Sequence, residues 1–116
     1  MKPIVFKESG MQREFAQLDP RLLRIVEFYS EVAWLLYRDI LVVTSIYRND
    51  SSTHSGPKPY RFIDFAILEN GGRDGSELLR KIINLAFPYN VDRSHETCPD
   101  LDHPGTAPHT HLQVKP

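Results

Sequence analysis

Residues 60–67 read YRFIDFAI, a strand-like run of aromatic and β-branched residues broken by one carboxylate, Asp64. Alternation along a strand places Phe62, Asp64 and Ala66 on one face. A carboxylate projecting from an apolar wall is costly to bury unless something specific pairs with it. Any fold of this chain must therefore bring Asp64 a partner. The candidates are a hydrogen-bonding turn, an arginine such as Arg61 or Arg48, or a bound cation, which would supply the charge outright.

The rest of the chain divides into elements around that strand. Residues 19–39, DPRLLRIVEFYSEVAWLLYRD, predict a helix in which Asp19 caps and Pro20 takes the first helical position. Its apolar positions leave Arg21, Arg24, Glu27 and Glu31 on a narrow polar side, so the helix is expected to be largely enclosed, with Phe28, Trp34 and Leu35 in the core. ILVVTSIY, residues 40–47, reads as a strand, and a Ser, Pro and Gly-rich loop leads from it into YRFIDFAI. ENGGRDG reads as a turn. DGSELLRKIINLAF predicts a second helix, with Asp74 and Glu77 at capping-box spacing and Pro88 ending it. Residues 88–108 show no strong periodicity, although Tyr89 to Val91 suit a short strand. A loop of that length is more often functional or disordered than idle. HTHLQV, residues 109–114, closes the chain as a strand. The predicted class is α+β, a small, mainly antiparallel sheet covered by helices, in a single domain spanning residues 1–116.

Within HTHLQV, Leu112 and Val114 mark the core side, which Thr110 shares, and His109, His111 and Gln113 share the other face. Paired imidazoles on one strand face suit metal ligation. Together, His54, Asp64 and His111 offer two nitrogens and one carboxylate oxygen, a set that holds a catalytic zinc and leaves a fourth position for water. The plain alternative is exposed strand histidines and an Asp64 paired with arginine. His95, Cys98 and His103 lack a second cysteine or matched pair, which favours an ordinary loop there. The sequence contains no HExxH, no CxxC pair, no phosphate-binding glycine loop and no G-x-S-x-G elbow.

Composition closes several classes. With 116 residues and a formal net charge of -1, the chain has no basic footprint for nucleic acid. One cysteine permits no intrachain disulfide. The N-terminus lacks an apolar stretch of signal-peptide length, and no segment is long enough for a membrane span, so synthesis and folding in a cytoplasm are expected.

The order VTSIYRNDSSTHSGPKPYRFIDFAI followed by PHTHLQV resembles the D-alanyl-D-alanine carboxypeptidase-like zinc peptidases, a group with murein endopeptidases, phage endolysins and lysostaphin-type enzymes. In that family a strand ending in T-S-G-Y-R precedes S-x-H-x-x-G-x-A-x-D, and a later strand carries E-x-x-H or H-x-H. Thr44, Ser45, Tyr47 and Arg48 match the first motif, with Ile46 in place of its glycine. Ser52, His54 and Asp64 match the second across a longer loop, and His109 and His111 match the third. Pro108 stands where the E-x-x-H branch has its glutamate.

The resemblance covers about residues 40–67 and 105–114, and it implies a hedgehog/D-Ala-D-Ala peptidase-type core. It implies His54, Asp64 and His111 as zinc ligands, His109 as the catalytic histidine that assists proton transfer, and Arg48 as the catalytic residue that binds a substrate carboxylate or the scissile carbonyl. Ser52 would support the ligand loop. The implied activity is hydrolysis of peptide bonds in bacterial cell-wall peptidoglycan by metal-activated water, with a phage-borne enzyme, released by lysis or carried in a virion, as the source that fits. The alternative is a catalytically inactive metal- or peptide-binding module on the same fold, such as a virion or accessory protein.

Overall fold

The computed structural model describes residues 3–46, 60–88 and 109–114. Four strands form one mixed sheet in sequence order: β1 (Ile4–Phe6), β2 (Leu41–Ile46), β3 (Phe62–Ala66) and β4 (His109–Gln113). β1 pairs with β2 in parallel, while β2–β3 and β3–β4 are antiparallel. Helices α1 (Met11–Phe15) and α2 (Pro20–Tyr37) make the crossover from β1 to β2, and α3 (Gly72–Ala86) lies between β3 and β4 in sequence. The α+β class is as the sequence predicts. Two elements were not predicted: β1 and α1, each too short to show a period.

One sheet face carries Val43, Ile63, Phe65, Leu112 and Val114, which pack into a core with Leu22, Ile25, Val26 and Tyr29 of α2 and Leu79 and Ile83 of α3. Phe65 and Tyr29 meet with ring centroids 5.4 Å apart. Fully burying side chains of this size contributes about 1.5–3 kcal/mol each. The alternation read from HTHLQV holds, since Thr110, Leu112 and Val114 are all buried on this side.

Helix α2 starts as predicted. The Asp19 carboxylate accepts from the Arg21 backbone N–H at 2.9 Å, and Pro20 opens the helix. Its enclosure is less complete than expected: Leu35 is 70% exposed and Leu36 52%, so Leu35 is not a core residue. The second helix also differs from expectation. It begins at Gly72, inside the stretch read as a turn, with Gly71 at the N-cap and no side-chain cap from its own segment. The Asp74–Glu77 spacing therefore does not form the start of the helix. The capping carboxylate comes from Asp39, buried just after α2: it accepts from Asn70 N, Asn70 Nδ2 and Gly71 N, each at 3.1 Å. Tyr37, at the end of α2, packs so closely on this turn that a Cβ on Gly71 would sit 2.9 Å from its ring.

Candidate metal and catalytic site

The sheet face away from the helices assembles the site. β3 and β4 pair with Asp64 directly opposite His111, Ala66 opposite His109 and Phe62 opposite Gln113. Directly opposed residues share a face and bring their Cβ atoms within about 5 Å. All six side chains thus stand on one surface, the one predicted to carry Asp64 and the histidines.

The geometry converges on Asp64. Its Oδ1 lies 2.6 Å from His111 Nδ1, and its Oδ2 lies 3.9 Å from His109 Nε2. Asp64 and His111 are buried, at 5% and 3% exposure, and His109 is partly exposed. His111 Nε2 faces Gln113 Oε1 at 3.3 Å. An amide oxygen cannot donate, so Nε2 carries the hydrogen in that contact. At 2.6 Å, His111 Nδ1 and Asp64 Oδ1 are at hydrogen-bond distance, too close for a metal ion to stand between them.

Neighbouring elements hold this arrangement. β2 carries a bulge: Val43 opposes Phe65 and Ser45 opposes Asp64, leaving Thr44 as the extra residue. The Thr44 hydroxyl donates to the Asp64 carbonyl oxygen at 3.2 Å, fixing the backbone beneath the carboxylate. The Phe62 ring lies 6.0 Å from the His111 ring, and the Arg61 guanidinium sits 4.9 Å over Phe62. Arg61 also donates to Val114 O at 2.7 Å, closing the end of β4. On the core side, Arg80 Nη1 lies 3.4 Å from Thr110 Oγ1. Burial raises the pKa of the Tyr29 phenol, while hydrogen bonds with Thr110 and Ser76 and the Arg80 charge oppose the rise. β4 is thereby tied to α2 and α3 from behind.

Three of the residues singled out in the sequence, Asp64, His109 and His111, are brought together. His54, Arg48 and Ser52 lie outside the described residues, as do Tyr47, Tyr89 to Val91, His95, Cys98 and His103. Among the described residues no group of three or more His, Cys, Asp or Glu side chains is arranged to hold a metal ion. The donor chemistry of Asp64 and His111 nevertheless suits two ligands of one zinc. Ligands sharing a tetrahedral zinc sit about 3.3 Å apart, so this pair stands about 0.7 Å closer than ligation needs. Gln113, which the alternation of β4 places on the face of His109 and His111, is given no role by the sequence reading, and the structure sets it against His111.

Beside the site, a groove of about 430 Å³ is lined by residues that include Val5, Arg38, Val42, Ala66, Ile67 and Glu69. Among the described residues no helix is long and apolar enough to cross a membrane. Comparisons of the chain with family models, curated proteins and solved structures give no match, so the functional reading rests on residues and geometry.

Proposed function

We propose that this chain is a zinc-dependent peptidase domain of the D-alanyl-D-alanine carboxypeptidase-like type, hydrolysing a peptide bond in bacterial cell-wall peptides. The observation that carries the reading is the buried Asp64–His111 pair, a carboxylate and an imidazole opposed across β3 and β4 with His109 beside them. The sequence supplies His54 as the third donor and Arg48 as the group that receives a substrate carboxylate or carbonyl. A zinc ion bound there would polarise a carbonyl and activate water at neutral pH.

The chain's own residues account for the remaining roles. His109 is partly exposed and lies beyond hydrogen-bond range of Asp64 Oδ2, which suits an imidazole that exchanges protons with a substrate's leaving amine. A peptide laid along the outer sheet face would reach His109 through the groove at Ala66. The fold that this reading assigns is the hedgehog/D-Ala-D-Ala peptidase-type core, for which the mixed sheet with one helix-covered face is suitable.

A second reading draws on the 2.6 Å contact itself. As a buried Asp–His hydrogen bond the pair needs only a proton, and the chain would be a peptide-binding module without catalysis.

Metal content measured by elemental mass spectrometry, on untagged protein and on His111→Ala, separates the two. About one zinc per chain in the parent and none in the variant supports the peptidase. Release of an amino acid or shorter peptide from a purified cell-wall peptide then tests catalysis. No zinc in either protein after zinc has been offered sinks the metal reading.

A further inference from the structure

We propose that the open edge of β1 is a self-association site, pairing antiparallel with β1 of a second copy about a two-fold axis through Val5. This stands apart from Asp64 and His111 and needs no metal. Strand order puts β1 at one edge of the sheet. Two hydrogen bonds fix which way its main chain turns: Leu41 N–H donates to Pro3 O at 2.8 Å, and Lys7 N–H donates to Val43 O at 2.9 Å. Alternate residues of a strand turn their main chain the same way, so Pro3, Val5 and Lys7 face β2. Ile4 and Phe6 therefore direct their N–H and C=O groups away from the sheet, and among the described residues nothing pairs with them. A groove of about 400 Å³ adjoins this edge, lined by residues 4–10 and Gln12.

An open edge is a template for another strand, and folds commonly blunt it with charge, proline or a bulge. Within β1 there is none of these: the strand is Ile-Val-Phe in unbroken register with β2. The occupant that fits is the same strand from another copy, because outward residues at i and i+2 are self-complementary about the residue between them. Antiparallel pairing centred on Val5 sets Ile4 of each copy opposite Phe6 of the other, and each such pair exchanges two main-chain hydrogen bonds. Both edges close at once. Val5 then meets Val5 as a directly opposed pair, with Cα atoms about 4.5 Å apart. Its side chain suits this: Ile4 and Phe6 pack on the core, while Val5 takes the other face, 45% exposed, and shares a groove with Ile40 at 50%. The antiparallel sense also separates the two Lys7 side chains, which a parallel pairing would set side by side. With three residues a side the contact is far smaller than a standard interface, so association is reversible and concentration-dependent.

Sedimentation velocity on untagged protein, from about 10 μM to about 1 mM, reads the state directly. The parent should pass from monomer to dimer across that range. Val5→Lys and Val5→Glu should each stay monomeric, because like charges would stand opposite one another at the axis. An equimolar mixture of the two variants should regain the dimer, since opposite charges then meet. Amide hydrogen exchange on the parent gives a reading that no misfolded variant can spoil: Ile4 and Phe6 should gain protection as concentration rises, and Val5, already turned toward β2, should not. A parent that is monomeric throughout overturns the proposal and leaves the edge to a strand from a different protein. Variant dimers as stable as the parent's place the interface on another face, such as the exposed Leu35, Leu78 and Leu85, and overturn it equally. A mixture that stays monomeric overturns the two-fold axis at Val5.

Discussion

His111 and Asp64 are each buried against the other, and this makes their substitutions asymmetric. Removing one member of a buried, hydrogen-bonded pair leaves the other without its partner and costs about 3–5 kcal/mol, whereas replacing both by apolar residues of similar volume is often near neutral. In metal-free protein, His111→Ala should lower the urea-unfolding free energy by about 3 kcal/mol, and the double change Asp64→Leu with His111→Leu should cost less than that single one. His109→Ala should behave differently, because at 3.9 Å it is not a close partner of Asp64. It should retain zinc and lose hydrolysis. Loss of zinc in His109→Ala with retention in His111→Ala would reverse the roles of the two histidines. The convergence of Asp64 and His111 was legible in the sequence because strand alternation has a period of two and both faces carried clear markers. The Gln113 contact was half legible: alternation puts Gln113 on the face of His111, but the rotamers that bring the two side chains together are not written in the sequence.

Helix α3 shows where local sequence signals mislead. Asp74 and Glu77 have the spacing of a capping box, yet the helix starts earlier because Asp39, from the end of α2, already satisfies the donors of Asn70 and Gly71. A carboxylate at a helix N-terminus also gains from the helix dipole. Asp39→Ala should therefore cost about 2 kcal/mol in denaturant unfolding, while Asp74→Ala should stay within about 0.5 kcal/mol. No pattern in the sequence announces a cap supplied from thirty-one residues away. The Thr44 bulge is similar: ILVVTSIY reads as an uninterrupted strand, and the extra residue appears only when β2 is paired with β3. Behind β4, the Tyr29 phenol ties two helices to the sheet, and burial raises its pKa. A group whose pKa is raised on folding binds its proton more tightly when folded, so its contribution is complete below the unfolded value near 10 and is lost as pH rises through the folded value. The parent should lose stability more steeply above pH about 10 than Tyr29→Phe does, as read from thermal unfolding across alkaline buffers.

At the scale of the whole molecule, the sheet separates two environments. Its inner face is closed by the three helices, and its outer face carries Asp64, His109, His111 and Gln113, with the groove beside them. Both environments meet on β3 and β4, so occupancy of the outer site should be felt by global stability. A ligand that binds only the folded state stabilises by RT ln(1 + [L]/Kd), about 2.7 kcal/mol at a hundred-fold excess over Kd. For a domain of this size that corresponds to a rise in Tm of about 10 °C. Zinc at that excess should raise the Tm of the parent by this amount, and a chelator should return it to the metal-free value. His111→Ala should begin at a lower Tm and respond to neither addition. The alternative, a proton-bridged pair on a binding module, predicts a parent whose Tm is insensitive to zinc and chelator alike. Because the two readings differ in whether Tm responds at all, the scan needs no substrate and distinguishes them before any bond is shown to break.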